Sequence, residues 1–174
     1  WKMNTHNFGW FKGDTVNLGV GQGYLSATPI QLAYYSAILA NKGTINKFSF
    51  VKKDSLGEQD KLISSNIDIS DWERMHESMI GVIDNPKGTA GRLRSLKDYP
   101  IAAKSGTVEL VSTETKEDYK IIRENEGNRD HAIIIAFGPM PNPEYAVSVV
   151  IENGESGGSV AGPVAIAVMN SLVN

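Results

Sequence analysis

The chain has 174 residues, 41% hydrophobic and 21% charged, with no cysteine and a formal net charge of −3. Balanced charge and ample apolar content exclude a disordered chain, and the missing cysteines exclude a disulfide framework and a thiolate metal site. The apolar runs, Ile133 to Phe137 among the longest, are too short to span a bilayer, and slight acidity gives no electrostatic footprint for nucleic acid.

The length suits one domain with a real core. The opening Trp1-Lys2-Met3 carries neither a start methionine nor a signal peptide, which suggests a piece of something longer. Trp1 to Asp14 mixes aromatic, glycine and polar residues and reads as irregular loop. Thr15 to Tyr24 is a short apolar stretch punctuated by Gly19, Gly21 and Gly23. Thr28-Pro29-Ile30-Gln31 predicts a helix start, because Thr28 can cap, Pro29 suits the first turn and Gln31 completes a capping box. Ile30, Ala33, Tyr34, Ala37 and Ile38 recur at helical spacing, and Gly43 ends the run.

Lys47 to Ser65 reads as a hairpin, with Phe48, Phe50 and Val51 leading into the polar turn Lys53 to Glu58. A second capping box at Ser70-Asp71-Trp72-Glu73 opens a helix with Trp72, Met75, Met79, Val82 and Ile83 on one face. Asn85-Pro86-Lys87-Gly88 breaks it. Three strands follow, over Ile101 to Val111, His131 to Met140 and Tyr145 to Glu152. The last two are almost continuously apolar and are joined by the turn Pro141 to Glu144 as an antiparallel hairpin. Ser112 to Asp130 is a polar insert with six acidic and four basic residues. It has room for a short helix around Tyr119 and Ile122, and is the expected mobile loop. The Gly-rich turn Gly154 to Gly162 leads to a small-residue helix, Pro163 to Leu172, lying on the sheet.

Chemistry concentrates in Lys104-Ser105-Gly106-Thr107. Period-two alternation puts Ser105 and Thr107 on one face of the strand, with Lys104 and Gly106 on the other. A lysine beside two hydroxyls makes a carboxylate-binding edge, and a glycine inside a strand often marks close approach by a ligand backbone. Glu109 follows on the Thr107 face and is placed to line the same cleft. The tetrapeptide alone is short enough to arise by chance. Gly19-Val20-Gly21-Gln22-Gly23 lacks the spacing of a dinucleotide loop and reads as close-packed turn glycines. His6, His76 and His131 are widely spaced, and a hydrogen-bonding His131 at a strand start is preferred to a metal ligand.

Context sharpens the reading. Gly13-Asp14-Thr15, Gly21-Gln22-Gly23 and Thr28-Pro29-Ile30-Gln31-Leu32 occur in this order, followed by Ala102-Ala103-Lys104-Ser105-Gly106-Thr107. From about Gly9 to Leu172 the chain resembles class B penicillin-binding proteins, the bacterial cell-wall transpeptidases. Arg129-Asp130-His131, Ala136-Phe137-Gly138-Pro139 and Ile151-Glu152-Asn153-Gly154 resemble their elongation-specific member. The resemblance implies an α+β transpeptidase fold of the penicillin-binding and serine β-lactamase type, an antiparallel sheet flanked by helices, of which this chain supplies the C-terminal part. Residues 1–100 would form the mainly helical and loop part, and residues 101–174 the sheet strands and last helix. The family's sheet has five strands, so two would come from outside this chain.

The implied chemistry is acyl transfer through a serine, acylated by a peptidoglycan stem peptide and trapped by β-lactam antibiotics. In that scheme Lys104 supplies positive charge, and the backbone N–H of Thr107 forms half of an oxyanion hole. Ser105, Gly106, Thr107 and Glu109 meet the substrate. No cofactor or metal is implied. The implied partners are the upstream part of the domain and proteins of the cell-elongation machinery, on the periplasmic face of the inner membrane, with any anchor outside these residues. Ser49-Phe50-Val51-Lys52 and Ser64-Ser65-Asn66 match the family's Ser-x-x-Lys and Ser-x-Asn patterns, yet both fall downstream of Gly21-Gln22-Gly23 instead of upstream. A nucleophilic serine also needs to open a helix, and Ser49 sits in an alternating segment. The nucleophile is therefore expected outside this chain, which alone would be inactive. A non-catalytic penicillin sensor or scaffold, and a serine β-lactamase, are the alternatives. Apolar strands need cover on both faces and the last helix covers one, so the isolated chain is expected to expose an apolar patch and aggregate.

Overall fold

The computed structural model describes residues 1–44, 48–50, 67–111 and 115–173. Most of the predicted Lys47 to Ser65 hairpin, with Lys52 and Ser64-Ser65-Asn66, lies outside the described residues. The chain is α+β. Helices α1 (Lys2–His6), α2 (Lys12–Gly19), α3 (Pro29–Ala40) and α4 (Ile69–Asp84) precede strand β1 (Ala102–Val108). Helix α5 (Lys116–Ile122), strands β2 (His131–Gly138) and β3 (Tyr145–Ile151) and helix α6 (Gly162–Val173) complete it. The sheet runs β1-β2-β3, antiparallel throughout, with Lys104 opposite Ile135 and Gly106 opposite Ile133.

Local signals place α3 where the sequence does. Gln31 N–H donates to Thr28 Oγ1 (3.3 Å) while Thr28 N–H donates to Gln31 Oε1 (2.8 Å), a reciprocal cap that satisfies two otherwise orphaned donors. Gly43, at φ +84°, returns its N–H to the Ile38 carbonyl (2.9 Å) and closes the end. Helix α4 differs in its start. Its N-cap is Asp68 rather than Ser70, and no side chain caps it, because the Asp68 carbonyl already accepts Asp71 N–H (2.9 Å). The first strand is also shorter than predicted and ends at Val108, so Glu109 lies beyond it.

The core has two layers, one on each side of the sheet. Ile134 and Ala136 of β2 pack with Ile83, Leu93, Ile166 and Met169 on the α6 side. Ile135, Phe137 and Ala102 pack with Met79 and Ala40 on the other, contributed by α4 and α3. Burying each large apolar side chain of this kind contributes roughly 1.5–3 kcal/mol. The expected bare face of the sheet is therefore wrong: α3 and α4 cover it. Ser36, fully buried on α3, donates its hydroxyl to the Ala136 carbonyl (3.0 Å) and fixes that docking. His76, buried on α4, lies near the Leu39 carbonyl (2.8 Å) and against the Phe137 ring.

Exposed apolar side chains gather instead at the start of the chain, on Trp1, Phe8, Trp10, Phe11, Val16 and Val20. This segment is two helices, not the predicted loop. Asp14 at the third position of α2 accepts Phe11 N–H (2.7 Å) and holds the Lys2 ammonium, which is buried beneath the Phe11 and Tyr24 rings. The Lys2 hydrogen bond, then the Phe11 N–H, hold the Asp14 carboxyl below its ordinary 3.8. A lowered carboxyl contributes stability above its ordinary value and loses it as pH falls through the lower folded value. Hydrogen exchange of peptides spanning residues 1–24 is expected to rise in Asp14→Asn at neutral pH, and in the parent only below pH 3.8. Equal exchange in both at neutral pH would show that the ion pair does not hold the segment.

Candidate active site

The register fixes how the Lys104 to Thr107 segment presents itself. Among the described residues β1 is an edge strand, and Lys104 and the Gly106 position share the α4 side with Ala102, as alternation predicts. Lys104 is exposed and lines a hollow of about 640 Å³ with Glu77, Ser78, Asn85, Lys87 and Thr89. Among the described residues no carboxylate lies within ion-pair distance of its Nζ. Gly106 faces open space: a Cβ there would meet Ile133 Cβ at 3.7 Å and nothing closer. The chain's own packing thus does not require glycine at this position.

Ser105 and Thr107 occupy the opposite face. The Ser105 hydroxyl shares a hydrogen bond with Thr89 (3.0 Å), and the Thr107 hydroxyl donates to the Glu155 carbonyl (3.3 Å). Gln22 Nε2 donates to the Thr107 main-chain carbonyl (3.1 Å). In an antiparallel strand a residue's N–H and C=O point to the same side. The carbonyl turned to Gln22 therefore means that the Thr107 N–H also faces away from β2, into the open edge. A lysine charge, the Ser105 hydroxyl and an outward N–H along one edge can bind a carboxylate and stabilise a developing oxyanion. Such a preorganised donor is worth ~3–4 kcal/mol in a transition state.

Glu109 lies near this edge rather than in the strand. It lines a second hollow of about 500 Å³ with Asn17, Gln22, Leu25 and Leu110. Gly21 and Gly23, at φ +79° and +74°, form the turn that presents Gln22. A side chain at either would be strained, which explains the glycines that flank it.

Behind Thr107 stands a polar network that sequence reasoning missed. The buried Asp130 carboxylate accepts the Tyr119 hydroxyl and Leu110 N–H (3.3 Å), and its carbonyl accepts Glu155 N–H (2.8 Å). Hydrogen bonding to Asp130, burial and the Asp130 charge raise the Tyr119 hydroxyl to about 12. The short helix predicted near Tyr119 is thus pinned to the end of β1. His131 Nδ1 accepts Asn153 N–H (3.0 Å), the strand-start hydrogen bond expected of it. Of these residues Asp130, His131 and Asn153 gave a sequence signal through the family resemblance, and Tyr119 through its predicted short helix.

Residues 2–170 match the profile of the penicillin binding protein transpeptidase domain. The peptidoglycan D,D-transpeptidase MrdA of Haemophilus influenzae is 33% identical over 181 residues, covering the whole of this chain and 28% of that protein. The chain spans little more than a quarter of the length of the curated relatives it matches. Among solved structures, Pseudomonas aeruginosa PBP2 in complex with WCK 5153 superposes with a TM-score of 0.74 at 37% identity, over 99% of this chain and 36% of that one. Helicobacter pylori PBP2 in its complex with MreC gives a TM-score of 0.80 at 27% identity, over 99% of this chain and 30% of that one. The α+β arrangement described above is thus the penicillin-binding transpeptidase fold.

Proposed function

Since this chain belongs to the penicillin-binding protein transpeptidase domain family, we propose that it supplies the Lys-Ser-Gly-Thr strand of a peptidoglycan D,D-transpeptidase. The reading rests on one observation above all: the outward face of Thr107, with Lys104 beside it donating to the Ser105 carbonyl and paired with no carboxylate among the described residues. A stem peptide ending in a carboxylate lies along β1. Lys104 supplies charge to that carboxylate and to the proton relay, and the Ser105 hydroxyl donates to the carboxylate, while the Thr107 hydroxyl stays on the Glu155 carbonyl. The Thr107 N–H binds the oxyanion as the nucleophilic serine attacks the carbonyl. The departing amine takes the serine's proton through the relay. An acceptor amine on a neighbouring stem then attacks the ester carbonyl, the acyl–serine bond breaks, and the amine's proton returns through the relay to the serine oxygen as the cross-link amide forms. Gly106 leaves the space through which the peptide backbone approaches, and Glu109 borders the next subsite.

The serine and its lysine come from the rest of the transpeptidase domain, of which residues 1–174 are the C-terminal portion. Two features support this. Among the described residues no strand pairs with the outer edge of β3, and a free edge invites pairing. The exposed aromatics of residues 1–24 form an apolar surface suited to burial against that remainder. No helix among the described residues is long and apolar enough to cross a membrane. The whole protein works on the periplasmic face of the inner membrane, with proteins of the cell-elongation machinery as its proposed partners, as Helicobacter pylori PBP2 is bound to MreC.

Labelling the full-length protein with a fluorescent penicillin and mapping the adduct by peptide mass spectrometry tests the proposal. The expected adduct is a stable serine ester outside residues 1–174. An adduct on Ser49 would overturn the assignment of the nucleophile. Label lost by hydrolysis within minutes would turn the reading to a β-lactamase, and a stable adduct without cross-linking activity to a sensor.

A further inference from the structure

Glu155 is the point where the insert meets the site. It adopts φ +63°, a left-handed conformation that a residue with a Cβ keeps only when its surroundings hold it. Its carboxylate is ion-paired with Arg123, at the end of α5, and Arg129 Nε lies 4.0 Å away. Its N–H is tied to the Asp130 carbonyl, and its own carbonyl receives the Thr107 hydroxyl. Arg123 in turn lies over the Tyr119 ring (5.2 Å), whose hydroxyl meets Asp130, and Asp130 holds Leu110 N–H. The contacts close a circuit from Thr107 back to a residue three positions along the same segment.

We propose that the Arg123–Glu155 ion pair is a positioning device for Thr107, acting through the Glu155 carbonyl. This rests on the proposed role of Thr107. With the pair intact, Glu155 stays left-handed and its carbonyl holds the Thr107 hydroxyl, so that the Thr107 N–H keeps its aim along the edge. With the pair broken, Glu155 relaxes and Thr107 loses its anchor. Both side chains are about one-third exposed, at 38% and 33%, so the pair contributes little to global stability. Its effect belongs to site geometry, where small displacements are costly.

The test uses the full-length protein with a fluorescent penicillin, separating the limiting acylation rate from the half-saturating concentration. Arg123→Gln and Glu155→Gln are each expected to lower the limiting rate about tenfold, with thermal midpoints within about 2 °C of the parent. The double variant should be no slower than either single one. In a Thr107→Val background, Arg123→Gln should cost less than about twofold, since the hydroxyl it acts through is gone. Parental rates in both single variants, or the same tenfold loss in the Thr107→Val background, would overturn the proposal. A midpoint loss without a rate loss would reduce the pair to a staple for α5. A parent protein that takes no label would overturn the reading of the site itself, and the device with it.

Discussion

Lys104→Ala in the full-length protein is expected to slow acylation by a labelled penicillin about 100- to 1,000-fold while leaving the thermal midpoint within about 2 °C. The two halves of this expectation have separate causes. Lys104 is exposed and no carboxylate among the described residues pairs with it, so removing it breaks no ion pair and empties no core. In the proposed role the charge is needed only when an anionic ligand or the proton relay fills the hollow, where water is displaced and each interaction strengthens. Lys104→Arg keeps the charge but spreads it over a planar fork, so partial retention is expected. A parental acylation rate in Lys104→Ala would remove the lysine from the mechanism.

The second large effect is on stability. Gly157→Ala is expected to destabilise the fold by about 3 kcal/mol or more, lowering the midpoint by roughly 6–12 °C. A Cβ at Gly157 would run into the Ile133 carbonyl oxygen and stand 2.6 Å from that of Gly106. Both obstacles are backbone at the β1–β2 pairing, which no rotamer change can relieve. The turn before α6 sits directly on the strand pair that presents Lys104 and Thr107. Gly106→Ala provides the contrast, because its Cβ would make ordinary contact with Ile133 and enter open space. It should unfold within about 2 °C of the parent yet impair acylation, separating a glycine kept for packing from one kept for the ligand. Thermal denaturation of the two variants in parallel checks the pair, and equal midpoints would contradict it.

Fold class and the central motif were legible in the sequence for identifiable reasons. The capping box of Thr28 and Gln31 and the left-handed Gly43 are local chemistry, complete within a few residues. The apolar runs of β2 and β3 announced strands covered on both faces, and alternation alone assigned Lys104 and Thr107 to opposite faces. Helices α1 and α2 escaped because five and eight residues are too few for helical periodicity to emerge. The cap of α4 moved to Asp68 because a main-chain carbonyl displaced the side-chain box.

The sequence by itself therefore determined the family, the three strands with helices α3, α4 and α6, and the strand that carries Lys104 to Thr107. Only the tertiary structure decided what stands behind that strand. The contacts Gln22 to Thr107 and Thr107 to Glu155 join residues 85 and 48 positions apart, and no local pattern encodes them. The second cover of the sheet had the same origin: α3 and α4 reach it across the fold, through the hydroxyl of Ser36 and the side chains of Met79 and Phe137. Periodicity and capping are short-range and readable one segment at a time. The direction of a carbonyl at Thr107 and the left-handed turn at Glu155 exist only once distant segments pack together.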